Sequence, residues 1–256
     1  MVLTGKRAIV TGAGGGIGQG IATVLGKNGY DVAVHYFSSP EGAEETCRRI
    51  GESGGKARMF QADLSQVSEV RRFFDEAVSW LGGLDLYVNN SGVTLIAPFE
   101  EMTEETFDQL ISVDFKSAYF CVQTAAGVMA KSGTKGNIVI ISSSNAFQQL
   151  PGASVYGPVK AALCRMTRHA AVEYAKYGIR VNCIAPGWTA TARTLRKTDP
   201  HSTDHLLPLK RWAQPEEIGE MVLFYASPAA ASVTGNILLA DGGATLLSKP
   251  AADYGL

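Results

Sequence analysis

The feature that most constrains this chain is a rhythm. Short, almost continuously apolar runs rich in Val and Ile alternate with longer stretches of helical periodicity. The runs read RAIVT, DVAVHY, KARMFQA, LDLYVNN, NIVIIS, RVNCIA and NILLADG. A strand that is apolar on both sides needs cover on both sides, unlike the alternating strand of a half-solvated sheet. The stretches between them, such as SEVRRFFDEAVSWL and ALCRMTRHAAVEYA, supply that cover. Strict alternation of strand and helix implies a parallel sheet with right-handed crossovers and helices on both faces. The expectation is therefore an α/β fold, a doubly wound parallel sheet of about seven strands. A chain of 256 residues accommodates this as a single domain over 1–256.

One segment breaks the rhythm. WTATARTLRKTDPHSTDHLLPLKRW, residues 188–212, separates the sixth strand from the next helix and exceeds an ordinary connection. We read it as a partly helical lid over a substrate; the bland alternative is a disordered excursion. The aromatic and leucine side chains near it, Phe147, Leu150, Trp188 and Leu195, suit lid and core packing. His201 and His205 within it have a spacing that chelates zinc on a helix, but no third ligand accompanies them, so no metal site is expected.

Composition removes other partners. The formal net charge is −1, and basic residues occur as scattered pairs rather than a patch, which argues against nucleic acid or an anionic membrane. No apolar run is long enough to span a bilayer. Cys47, Cys121, Cys164 and Cys183 lie far apart without CxxC spacing and read as reduced thiols. The first strand begins almost at once, so no targeting segment is expected and the chain reads as cytoplasmic.

Directly after the first strand comes TGAGGGIG, Thr11 to Gly18, and then a helical pattern. Strand, glycines and helix in that order form a phosphate-binding arrangement. Backbone N–H groups and the positive helix end face the anion, and only glycine admits a pyrophosphate so close. In a doubly wound sheet this reads as a Rossmann dinucleotide site, the alternative being a tight turn with no ligand. The spacing here is TGxxxGxG, fixing Gly12, Gly16 and Gly18.

With ADLS, NNSG, ISSS, YGPVK, APGWTAT and VTGNILLADGG following in order, the chain resembles the short-chain dehydrogenase/reductase family over nearly its full length. The resemblance implies NAD(P)(H)-dependent interconversion of a carbonyl and a secondary alcohol. It places Gly12, Gly16, Ile17 and Gly18 at the pyrophosphate, Asp63 and Leu64 beside the adenine, and Asn90 and Gly92 near the ribose. Pro186, Gly187 and Thr189 fall by the nicotinamide carboxamide. The second strand ends in Tyr36, Phe37, Ser38 and Ser39, with no acid before Glu41 to hold a ribose 2′-hydroxyl or repel a 2′-phosphate. Tyr36, Ser38 and Ser39 are thus cofactor candidates, and NADP(H) is favoured over NAD(H). The glycine loop nevertheless lacks the basic residue common in NADP-preferring relatives.

Tyr156 and Lys160 stand one helical turn apart and share a face. A phenol titrates near 10, too high for proton exchange at neutrality, and a neighbouring ammonium favours the phenolate. The resemblance assigns Tyr156 the proton transfer to the substrate oxygen, Lys160 the nicotinamide ribose, and Ser143 a hydrogen bond to the substrate oxygen. Ser142 and Ser144 are its rivals. Trp188 is a further substrate candidate. Pro158, between Tyr156 and Lys160, is best tolerated near a helix start, so a start near Tyr156 is expected, with Ser154 as a candidate N-cap; a longer helix kinked at Pro158 is the competing picture. The family's fourth catalytic residue is an Asn, whereas this chain offers Asp114, a carboxylate able to pair with Lys160 and shift the pH optimum. A 3-oxoacyl thioester is the expected substrate class; sugars, polyols and sugar acids are the alternative. A dinucleotide sensor without chemistry would have lost Tyr156 or Lys160. The resemblance also implies a homotetramer, with the last strand and its neighbouring helix at one interface.

Overall fold

The computed structural model describes residues 6–247. All seven expected strands are present: β1 (Lys6–Val10), β2 (Tyr30–Tyr36), β3 (Ala57–Gln61), β4 (Leu86–Asn89), β5 (Asn137–Ile141), β6 (Arg180–Pro186) and β7 (Ile237–Ala240). They form one parallel sheet in the order β3-β2-β1-β4-β5-β6-β7. β1 pairs with β2 on one side and β4 on the other. The strand order therefore reverses between β1 and β4, and a crevice opens beyond their carboxyl ends, where such sheets bind ligands.

Both faces are covered. On one lie α1 (Gly16–Lys27), α2 (Pro40–Glu52) and α8 (Pro215–Ala226). Ile21, Leu25, Ile50, Ile218 and Val222 from these helices bury against Val10, Val32 and Val88 of the sheet. On the other lie α3 (Val67–Leu81), α5 (Ser117–Ser132) and α6 (Tyr156–Tyr174). There Phe73, Phe74, Cys121, Ala125 and Leu163 pack on Ile9, Tyr87 and Ile138. Successive strand residues face opposite ways, which is why Ile9 and Val10 serve different cores.

Between β4 and α5 the chain forms α4 (Glu104–Leu110) and one π-helical turn, Ile111–Lys116, continuous with α5. After β6 comes the expected partly helical segment, with α7 (Ala192–Leu195) and a 3-10 turn at Pro200–Leu206. Its two ends are fastened together. The Trp188 and Trp212 rings stack 5.0 Å apart, Ala213 N–H donates to the Trp188 carbonyl at 3.0 Å, and Ala190 N–H donates to Ala213 O at 2.8 Å. No helix among the described residues is long and apolar enough to cross a membrane. All four cysteines are free, and Cys121, Cys164 and Cys183 are buried.

Candidate active site

The glycine loop fits a pyrophosphate on its own geometry. α1 opens at Gly16 with no side-chain cap on its free N–H groups and no acid in its first turn, so the positive helix end is left for an external anion. Gly12 and Gly16 take φ of +64° and +56°, a region side chains disfavour. At Gly18 a Cβ would collide with the Gly12 carbonyl and the Asn90 amide. Only glycine lets the helix start fold this tightly beneath the loop.

A clasp across the strand-order reversal holds that loop. Thr11 Oγ1 accepts from Asn90 N–H at 2.9 Å and Ser91 N–H at 3.1 Å, while Asn90 Nδ2 donates to Thr11 O at 2.9 Å and Gly12 O at 3.2 Å. Asn90 therefore has a structural duty beside the ribose role expected of it. Ser39 caps nothing in α2 but donates from Oγ to Gly14 O at 3.4 Å. Ser38 and Ser39 are exposed at the end of β2 beside the half-buried Tyr36. Asp63 Oδ1 accepts from Ser65 N–H at 3.0 Å, shaping the turn into α3.

His35 is part of this framework, and sequence reasoning did not single it out. Its Nδ1 accepts from Gly12 N–H at 3.1 Å and its Nε2 lies 3.1 Å from Ala62 O. A nitrogen that accepts from an amide carries no proton, so Nε2–H is the donor to Ala62 and the ring is neutral. Burial pushes its pKa down to about 4, against a smaller opposing pull from the Ala62 carbonyl.

At the other end of the crevice, Tyr156, Lys160, Asp114 and Gly92 come together. α6 begins at Tyr156, as Pro158 required, and the proline occupies its first turn. Ser154 is not the cap: Val155 holds that position without a side-chain hydrogen bond. The turn before it is already wound, with Gly157 N–H on Ala153 O at 2.9 Å and Val159 N–H on Val155 O at 3.0 Å, so few helix-start donors remain to be capped. Lys160 Nζ lies 5.3 Å from the centre of the Tyr156 ring. On its other side Nζ meets Asp114 Oδ2 at 2.7 Å, with the Asp114 side chain 0% exposed. The second carboxylate oxygen accepts from Val93 N–H at 2.7 Å. Burial pulls the Lys160 ammonium down, but Asp114 and Tyr156 outweigh it, and its pKa stands net above the usual lysine value. A Cβ on Gly92 would lie 2.9 Å from Asp114 Oδ2 and 3.2 Å from Lys160 Nζ, so glycine leaves room for the ion pair.

The three serines have different partners. Ser142 is buried, donating to Lys160 O at 2.7 Å and accepting from Cys164 Sγ at 3.4 Å. Ser144 accepts from Gln148 Nε2 at 3.2 Å. Ser143 Oγ accepts from Asn145 N–H at 3.2 Å and from the Asn145 side-chain amide at 3.5 Å. Thr189 is buried, with Oγ1 donating to Gly187 O at 3.2 Å, directly after Pro186 at the end of β6. Thr191 reaches back over the glycine loop, its methyl 3.5 Å from where a Gly16 Cβ would sit. Trp188 stacks on Trp212. It lines a 380 Å³ cavity whose other walls include Leu209, Arg211, Glu217, Met221 and Asp241. Phe147, Leu150 and Leu195, expected as packing, are largely exposed. His201 is exposed and pairs with Asp204 at 3.3 Å.

A phosphate cradle at the sheet's crevice beside a tyrosine, a lysine and a serine defines a dinucleotide-dependent oxidoreductase. Comparison with known proteins agrees. A family model described as enoyl-(acyl carrier protein) reductase matches residues 12–245. Over 248 residues the chain is 38% identical to glucose 1-dehydrogenase 2 of Bacillus subtilis, covering 95% of this chain and 96% of that one. It is 36% identical to 3beta-hydroxysteroid dehydrogenase 1 of Eggerthella lenta, covering 95% of each. A short-chain dehydrogenase/reductase from Serratia marcescens superposes with a TM-score of 0.90 at 32% identity, covering 96% of this chain and 100% of that one. The chain belongs to the short-chain dehydrogenase/reductase family. It is an NAD(P)(H)-dependent enzyme that interconverts a carbonyl and a secondary alcohol.

Proposed function

We propose that the chain reduces a 3-oxoacyl thioester or a similar ketone, with Tyr156, Lys160, Ser143 and Asp114 as its working residues and NADP(H) preferred to NAD(H). The observation that carries the reading is the buried Asp114–Lys160 pair with its ammonium against the Tyr156 ring. A nicotinamide dinucleotide, when bound, would supply hydride for the carbonyl carbon. Tyr156 gives its phenolic proton to the carbonyl oxygen, and Lys160 stabilises the phenolate left behind while holding the ribose hydroxyls. Ser143 donates to the same substrate oxygen and orients it. Asp114 keeps the buried Lys160 charged.

Gly12, Gly16, Ile17, Gly18, Asn90, Gly92, Pro186, Gly187 and Thr189 form the cofactor cleft, with Asp63 and Leu64 at the adenine. The preference for NADP(H) is supported by the missing acid at the end of β2, where Tyr36, Ser38 and Ser39 stand. The family model's description supports an acyl thioester. A second reading, a sugar or polyol, is favoured by the likeness to glucose 1-dehydrogenase 2. We read residues 1–256 as one catalytic domain with a lid over 188–212, in a cytoplasmic homotetramer. The reading draws on the exposed Phe224 of α8 and Leu239 of β7.

The test is oxidation of NADPH and NADH against acetoacetyl thioester, glucose and other sugars, a diketone and a ketosteroid, with both dissociation constants measured. Turnover with the thioester and tighter NADPH binding is expected. Turnover with sugars alone would replace the first substrate reading by the second, and equal affinities for the two cofactors would overturn the preference.

A further inference from the structure

His35 is the last histidine-sized side chain one would expect on the apolar face of a central strand. It sits near the end of β2, buried and 5.0 Å from the Phe73 ring of α3. A core imidazole is tolerated once both nitrogens are paired. What matters here is who the partners are. Nδ1 takes the N–H of Gly12, the first glycine of the phosphate loop after β1, at 3.1 Å. Nε2 meets the carbonyl of Ala62, directly before Asp63 and Leu64 in the turn after β3, at 3.1 Å. Ser91 Oγ, from the loop after β4, stands 3.4 Å from Nδ1. The backbone adds a fourth tie, Ala13 N–H to His35 O at 2.8 Å. One neutral ring thus joins three loops that leave three different strands at the same end of the sheet.

We propose that His35 is a positioning residue for the dinucleotide, fixing the glycine loop against the turn that faces the adenine so that the adenosine half of the cleft is formed before cofactor arrives. It touches no reacting atom. Its contribution is preorganisation: without the ring, the Gly12 N–H loses its acceptor and the loop is ordered at the expense of binding energy. The inference rests on the dinucleotide reading of the cleft. The two hydrogen bonds are separable by substitution. Asn carries an oxygen where Nδ1 stands and can still accept from Gly12, whereas Gln carries an amide nitrogen where Nε2 stands and can still donate to Ala62. Phe keeps the contact with Phe73 and loses both.

The experiment measures dissociation constants of NADPH, NADH and ADP by quenching of tryptophan fluorescence in wild type, His35→Phe, His35→Asn and His35→Gln. Thermal unfolding of the free proteins is recorded beside them. His35→Phe is expected to weaken the tighter-binding dinucleotide about tenfold, the scale of one unsatisfied buried donor. ADP should weaken by the same factor, because the loops concerned lie on the adenosine side. His35→Asn should come back to within about threefold of wild type, ahead of His35→Gln, since the Gly12 bond is the one facing the phosphates. Should His35→Phe fail to fold, the order of Asn over Gln carries the test. Unchanged affinity in His35→Phe, whatever its melting temperature, would overturn the proposal and leave an ordinary core histidine. So would an Asn variant no better than Gln. A wild type that binds neither dinucleotide would overturn the reading of the cleft itself, a result distinct from both.

Discussion

The two halves of the crevice are held by opposite kinds of bond. At the end proposed for the adenosine, Thr11, Asn90 and His35 join loops through neutral hydrogen bonds, and the His35 ring is kept uncharged. At the end proposed as catalytic, Lys160 and Asp114 form a buried ion pair. A buried neutral donor left without its acceptor costs about 1–3 kcal/mol, and a buried charge deprived of its partner about 3–5 kcal/mol. The difference suits the two tasks. Binding a dinucleotide's phosphates needs fixed N–H groups, while moving a proton needs charge held ready beside the phenol.

This contrast can be broken most forcefully at Lys160. Lys160→Ala leaves Asp114 buried with only the Val93 N–H for company, and an orphaned buried charge costs about 3–5 kcal/mol of stability by denaturant titration. Lys160→Ala with Asp114→Ala should recover much of that loss, though no activity. A double variant no more stable than the single would show that the pair is not energetically coupled.

The neutral half makes the next largest prediction. With the folded pKa of His35 held near 4, the unfolded chain takes up a proton at pH values where the folded one does not. The resulting stability is fully present above about pH 6.5 and is lost as pH falls from there towards 4, up to about 3 kcal/mol in all. A stability-against-pH curve for His35→Phe should lack that slope. An unchanged slope would place the acid sensitivity elsewhere.

Asp114→Asn gives a smaller and more specific effect. Removing the carboxylate removes one cause that raises the Lys160 pKa, so the ammonium is lost at lower pH and the alkaline limb of the kcat profile moves down. Activity remains measurable. Complete loss would show that the carboxylate is itself required. At the bottom of the scale stands Arg193, whose exposed guanidinium donates to Thr94 O at 2.9 Å, tying the 188–212 segment to the loop after β4. Arg193→Ala should alter stability by less than about 0.5 kcal/mol, as exposed positions do, with any change confined to KM.

Much of this was legible in the sequence because buried parallel strands are short and apolar throughout, and all seven were found on that ground. Pro158 marked the start of α6 because a proline fits only the first turn. The cap was misread because Ser154 is a good capping residue by type, while the turn at Ala153 had already supplied partners to the N–H groups. Asp114 was visible as a departure from the family pattern, and its pairing with Lys160 follows from the π-helical turn that buries it. His35 was not visible. Its partners stand 23, 27 and 56 residues away along the chain, and no local pattern distinguishes it from any histidine after a run of valines. The stacking of Trp188 on Trp212 was likewise not visible, because the two residues stand 24 apart along the chain.

The central claim is that Tyr156 moves the proton while the rest of the crevice binds. The most direct test is reduction of the best carbonyl substrate by wild type and Tyr156→Phe, with the cofactor dissociation constant measured for both. The account predicts a fall in kcat of about a thousandfold, within the range for a general acid, with cofactor affinity little changed. A Tyr156→Phe variant that turns over at the wild-type rate would contradict it.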